Sequence, residues 1–101
     1  MKNLFQSLVL LCLSFFSSLA WSVESGQRLY QRHCSGCHGI MGIPVTPQTP
    51  NLSMREGMNK PDFMLVQSLK TGAAGRSMPA FFGILSDQEL MEIIRYVRVM
   101  R

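Results

Sequence analysis

Five consecutive residues, Cys34-Ser35-Gly36-Cys37-His38, restrict this chain more than any other feature of its 101 residues. Two cysteines three positions apart in a helical turn project to the same side, and a histidine one residue further on can swing its imidazole beneath whatever the two sulfurs hold. This is the motif for covalent attachment of a c-type haem. The two sulfurs bond to neighbouring substituents on the edge of the macrocycle, and the imidazole becomes the proximal iron ligand. Cys34 and Cys37 are therefore read as attachment points and His38 as a metal ligand. Three readings compete: a dithiol or disulfide redox pair, a zinc site, and plain structural cysteines. A thioredoxin-like pair wants a strand before its helix, and none is legible. Zinc wants four ligands, and beyond these three residues only His33 is available, too close along the chain to complete a tetrahedron easily.

The remaining cysteine, Cys12, falls in an N-terminal stretch of a different kind. Residues 1–22 carry one charged side chain, Lys2, and an apolar run from Leu8 to Leu19 broken only by Cys12, Ser14, Ser17 and Ser18. A positive start, a short apolar centre and small residues at Ser18, Ala20 and Ser22 predict a signal peptide over 1–22, cleaved after Ala20 or Ser22. The mature domain is then 23–101, in the periplasm. An uncleaved anchor competes, because Leu4 to Trp21 approaches the roughly 20 residues needed to span a bilayer. Lipidation of Cys12 fits less well, since bulky Leu11 precedes it. In an exported protein thiols are normally paired or occupied, so Cys34 and Cys37 must account for each other.

About 80 residues remain, a size at which one hydrophobic core typically supplies only ~3 to 5 kcal/mol. Something else should help hold the fold. Helical periodicity dominates and no stretch alternates long enough for a strand, so the expected class is all-α. A first helix is predicted over 25–33, with Ser22 or Ser25 as its cap. Residues 39–60 lose the period and carry Pro44, Pro47 and Pro50, which predicts a long loop with at most a short helical turn. A second helix is expected from Pro61, at its first helical position, to Gly72, burying Phe63, Leu65, Val66 and Leu69. The last begins at the capping box Ser86-Asp87-Gln88-Glu89 and runs to about Val99, burying Leu90, Ile93, Ile94, Val97 and Met100, with Arg95, Arg98 and Arg101 toward its negative end. A haem gives such a chain an apolar plate to pack around and gives the long loop a surface to cover.

What fills the iron's sixth position decides the function. Met91 and Met100 lie on or at the end of the last helix and suit packing. Met41, Met54, Met58 and Met64 are also assigned to packing. Met78 differs, because Pro79 holds it extended, Gly72 and Gly75 precede it, and Phe81 and Phe82 follow to shield the site. Met78 is therefore the expected second metal ligand. His33, beside Cys34 on the attachment segment, is not expected to reach the opposite haem face.

The order of these blocks resembles the class I cytochromes c, in particular the small monohaem cytochromes exported by bacteria. The likeness spans essentially the whole mature chain. It rests on Gly26 and Leu29-Tyr30 ahead of Cys34-Ser35-Gly36-Cys37-His38-Gly39, on Pro50-Asn51-Leu52, on Met78-Pro79-Ala80-Phe81, and on Tyr96-Val97 in the last helix. The resemblance implies three main helices and a long loop wrapped around one haem c, with the first and last helices crossing where Gly26 and Tyr30 meet Tyr96. It also implies that the Pro50 carbonyl accepts a hydrogen bond from His38 Nδ1 and that Leu52 packs on the haem. The loop from Met41 to Thr49 has no landmark of the family.

The expected function is a periplasmic one-electron carrier with His/Met ligation, not an enzyme. The alternatives are a haem relay subunit of a larger periplasmic or membrane-bound oxidoreductase, and a haem enzyme or gas sensor with an open sixth position. The formal charge is +4, or +3 without Lys2, with no basic run and no aromatic interleaving, which sets nucleic acid aside. Two haem propionates would leave about +1 and only weak general steering. Arg28, Arg32, Lys70 and Arg76 are a candidate positive rim for an acidic partner. The expected partners are redox proteins that donate and accept the electron, with no small-molecule substrate and no membrane contact except through a partner or an uncleaved leader.

Overall fold

Ser25 opens the first helix by placing its side-chain oxygen where it accepts from the Arg28 amide at 3.3 Å. This is one of the amides that a helix start leaves without a backbone partner. The computed structural model describes residues 25–73 and 78–100, with Asn3 and Gln6. The rest of the predicted leader, Gly75, Arg76 and Ser77 ahead of Met78, and Arg101 lie outside the described residues. The elements are α1 (Gly26–His33), a single turn α2 (Ser35–His38), a 3-10 turn (Leu52–Met54), α3 (Asp62–Thr71) and α4 (Asp87–Val99). No strand occurs among the described residues, so the chain is all-α.

The core is built where α1 crosses α4. Leu29 and Tyr30 from α1 meet Leu90, Ile93, Ile94 and Val97 from α4, joined by Met100, Met58, Leu65, Val66, Phe81 and Leu85. The axes approach closely because Gly26 has no side chain; a Cβ there would overlap the Glu92 carbonyl and press on the Tyr96 Cβ at 3.1 Å. The Tyr30 and Tyr96 rings meet at 5.4 Å in a tilted arrangement. α4 is held at its start by the full capping box: Ser86 Oγ accepts from the Glu89 amide at 3.1 Å, and Glu89 Oε1 accepts from the Ser86 amide at 2.9 Å. Such a box contributes about 1 kcal/mol or more to an end that would otherwise fray.

Near its other end, α4 ties down the loop before α3. Arg98 Nε donates to Asp62 at 2.6 Å, and its other nitrogens donate to the carbonyls of Lys60 at 2.7 Å and Met58 at 3.4 Å. Arg55 in turn donates to the Arg98 carbonyl at 2.9 Å. The guanidinium therefore does more than complement the helix dipole.

Several expectations need correction. Pro61 is the N-cap of α3, with extended ψ of 154°, and the first helical residue is Asp62. Phe63 is 70% exposed and lies outside the core; Leu65 and Val66 are buried and Leu69 is half-buried. α3 packs principally on α4 and buries too narrow a stripe to include Phe63. Met41, Met54 and Met64 are exposed instead of packed, whereas Met58 and Met100 are buried and Met91 is half-buried.

The crossing yields a direct prediction. Gly26→Ala should destabilise the protein by about 2 kcal/mol or more, since the backbone of α4 cannot yield to the added methyl. Gly36→Ala, whose Cβ would meet nothing within 4 Å, should change stability far less. Denaturant titration of the two variants makes the comparison.

Candidate haem site

The attachment residues are shaped by a break between two helical stretches. At Cys34 the backbone leaves α1 (φ −119°, ψ −33°) and its amide still donates to the Tyr30 carbonyl at 2.8 Å. The chain then re-enters a turn, with His38 N–H donating to the Cys34 carbonyl at 3.0 Å and Gly39 N–H to the Ser35 carbonyl at 2.9 Å. Gly39 closes the turn at φ +81°, where a Cβ would overlap the Ile43 carbonyl. Glycine is therefore required immediately after the histidine. The buried Tyr30 hydroxyl donates to the Gly39 carbonyl at 2.7 Å, which hangs the end of the motif from the core of α1.

Cys34, Cys37 and His38 line one cavity of about 570 Å³. Met78 and Phe81 line it from the segment that follows α3, and Thr46, Pro47, Gln48, Thr49 and Pro50 line it from the long loop. The volume lies within the range of cofactor and small-molecule sites. Both thiols are free, Cys34 buried and Cys37 exposed. Burial, reinforced by the neighbouring Cys37, pushes the Cys34 thiol up to about 11, so it stays protonated and weakly nucleophilic until it is engaged. His38 Nδ1 lies 3.1 Å from the Pro50 carbonyl. With Nδ1 donating there, Nε2 is the nitrogen left to act as a ligand.

The Met78 segment turns back past the end of α3. Gly72 makes that possible at φ +74°, with the Met78 carbonyl and the backbone of Pro79 and Ala80 close to where its Cβ would stand. Phe81 N–H donates to the Leu69 carbonyl at 2.9 Å and anchors the segment to α3. Met78 is half-buried and packs against the core cluster.

Leu52 is half-buried against the core and is not among the cavity-lining residues. Its N–H donates to the Gly42 carbonyl at 2.9 Å, and this seats the 3-10 turn on the side of Met100, whose sulfur lies beside Gly42. Phe82 does not shield the cavity; it is 75% exposed, with the Lys70 ammonium 5.9 Å from its ring centroid. Missed by sequence reasoning were Thr46, Pro47, Gln48 and Thr49. Their only signal was a proline-spaced run without period, which marks a loop but not what it faces. The loop path is fixed by hydrogen bonds from Val45 N–H to the Cys37 carbonyl at 2.9 Å and between the Thr46 and Thr49 hydroxyls at 2.5 Å. His33 also lines the cavity.

These residues fit a covalently held haem. The donor set is two free thiols, an imidazole with one nitrogen already engaged, and a thioether, all on the wall of one cavity. Among the described residues no group of three or more His, Cys, Asp or Glu converges as a metal-ion site.

An all-α domain with a Cys-X-X-Cys-His turn facing such a cavity is the signature of a small class I cytochrome c. The family described as cytochrome c oxidase, cbb3-type, subunit III matches residues 22–97, and the chain belongs to that cytochrome c family. Among curated relatives, a quinohemoprotein alcohol dehydrogenase of Comamonas testosteroni is 32% identical over 79 residues. The match covers 75% of this chain and only 11% of that relative's length. Among solved structures, the KustC0563 c-type cytochrome superposes with a TM-score of 0.66 at 24% identity, over 77% of this chain and 99% of the other. The family brings with it covalently bound haem c and haem-based electron transfer.

Burial raises the Tyr30 hydroxyl from 10.0 to about 12, with smaller contributions from Cys34 and Tyr96. A raised folded-state pKa contributes stability that is complete below pH 10 and is lost as pH rises toward 12. Tyr30→Phe should therefore be less stable than the parent by about 1 to 2 kcal/mol at pH 7, through the lost bond to Gly39. The gap should narrow between pH 10 and 12. Urea titrations of both proteins across that range give the test, and a gap independent of pH would refute it.

Proposed function

We propose that this chain is an exported one-electron carrier holding a single haem c, linked through Cys34 and Cys37 and ligated by His38 and Met78. The observation that carries the reading is the placement of His38 and Met78 on the lining of one cavity, with His38 Nδ1 tied to the Pro50 carbonyl. The haem iron, when bound, supplies a couple that gains and loses one electron without making or breaking bonds in a substrate.

The chain's own residues account for the rest. Cys34 and Cys37 fix the group against loss. Pro50, by accepting from Nδ1, holds the His38 ring in one tautomer and orientation and raises its basicity. Buried Phe81 removes water from one wall. A Met ligand favours the reduced state and raises the potential. Export to the periplasm agrees with the family and with the leader read over 1–22. Among the described residues no helix is long and apolar enough to cross a membrane.

A second reading is a relay subunit or domain of a larger oxidoreductase. It is favoured by the family's description as an oxidase subunit and by the much longer dehydrogenase relative, of which this chain spans about a tenth. Partners in either case are redox proteins. Of the candidate positive rim, Arg76 lies outside the described residues and Lys70 is paired with Asp87 at 3.0 Å. Purification from the exported fraction separates the two readings, since a carrier travels alone and a subunit travels with its enzyme.

A redox titration followed by optical spectroscopy tests the ligand set. The protein should show a reversible one-electron transition and a methionine–iron charge-transfer band. Met78→Ala should abolish that band and lower the midpoint potential by about 100 mV or more, well inside the ~0.8 V range that axial ligands command. An unchanged spectrum would move the ligand elsewhere.

A further inference from the structure

His33 has no part in attachment or in axial ligation, yet its half-buried imidazole lines the cavity together with Phe81 and Met78. Its ring stands edge-on to Phe81, with centroids 5.9 Å apart and planes at 78°. In this geometry the positive edge of one ring meets the negative face of the other. The Phe81 backbone is fixed by the bond to Leu69 and by its own carbonyl, which accepts from Ile84 and Leu85 at 3.0 and 3.1 Å. Those bonds place its Cα but leave the ring's orientation to its neighbours.

The contact joins two walls that helix packing does not join directly. Cys34 and Cys37 follow from the end of α1, Met78 follows from the end of α3, and both helices pack principally on α4. Histidine suits the join because a flat ring can present an edge to Phe81 while its nitrogens meet water at a half-exposed mouth.

We propose that His33 is a positioning residue for the Met78 side of the site. By holding the Phe81 ring edge-on, it keeps that wall closed beside Met78 and slows replacement of the thioether by an external ligand. The role rests on Met78 being the second axial ligand. The exchange it slows is a substitution at iron: the sulfur leaves, a nitrogen of the incoming ligand takes its place, and no oxidation state changes.

The test is stopped-flow binding of imidazole to the purified ferric holoprotein. His33→Ala should raise the association rate about 2- to 10-fold, the rate ratio that one ring–ring contact represents. His33→Phe, which restores a ring edge, should stay within about twofold of the parent. In a Phe81→Leu background, His33→Ala should add nothing further. Should the alanine variant fail to accumulate, His33→Gln removes the ring while keeping a polar side chain and serves the same comparison. Unchanged rates, or an equal increase with and without Phe81, would overturn the role while the methionine–iron band of the parent stands. A parent protein without that band would overturn Met78 ligation and the role together.

Discussion

The close passage of α1 across α4 at Gly26 is the contact on which the rest depends. It lets Leu29 and Tyr30 sink into the row of Leu90, Ile93, Ile94 and Val97, and Tyr30 then reaches forward to the Gly39 carbonyl. The same helix that builds the core thus sets the position of the residues immediately after it, which are the two thiols and the imidazole. A wider crossing would cost buried area at about 25 cal/mol per Å² and would also move the attachment turn away from the wall that Met78 and Phe81 provide.

The cavity contains no formally charged side chain among the described residues. Its lining offers thiols, imidazoles, hydroxyls, one amide and apolar carbon. Among the described residues, ion pairs join Arg98 to Asp62, Lys70 to Asp87 and Arg95 to Glu92, none of them on the cavity lining. Burial and nearby charge are levers by which a protein tunes a redox centre.

Much of this was legible in the sequence, for identifiable reasons. Helices announce themselves locally: Ser25 and the Ser86 to Glu89 box gave both caps, and the spacing of Leu90 through Met100 gave the buried face of α4. The attachment turn was legible because its chemistry requires three residue types at fixed spacing. The Pro50 carbonyl and the Gly26 crossing came only through family resemblance, since neither leaves a periodic trace. What escaped depends on what lies opposite. Phe63 reads as core from its helical spacing and Phe82 as a shield from its place after Met78, but both are exposed. Thr46 to Thr49 face the cavity along a path set by the Cys37 carbonyl and a hydroxyl pair, which no pattern of residue types encodes.

The crossing also fixes an order of assembly. Its two halves are α1 and α4, so nearly the entire chain between them must be looped before they can meet, at an entropic cost that grows with the logarithm of that loop. A growing polypeptide that has delivered Cys34 and Cys37 but not yet α4 has nothing for Leu29 and Tyr30 to rest against. Cys34 and Cys37 are thus synthesised well before α4, Asp87–Val99, whose arrival completes the crossing.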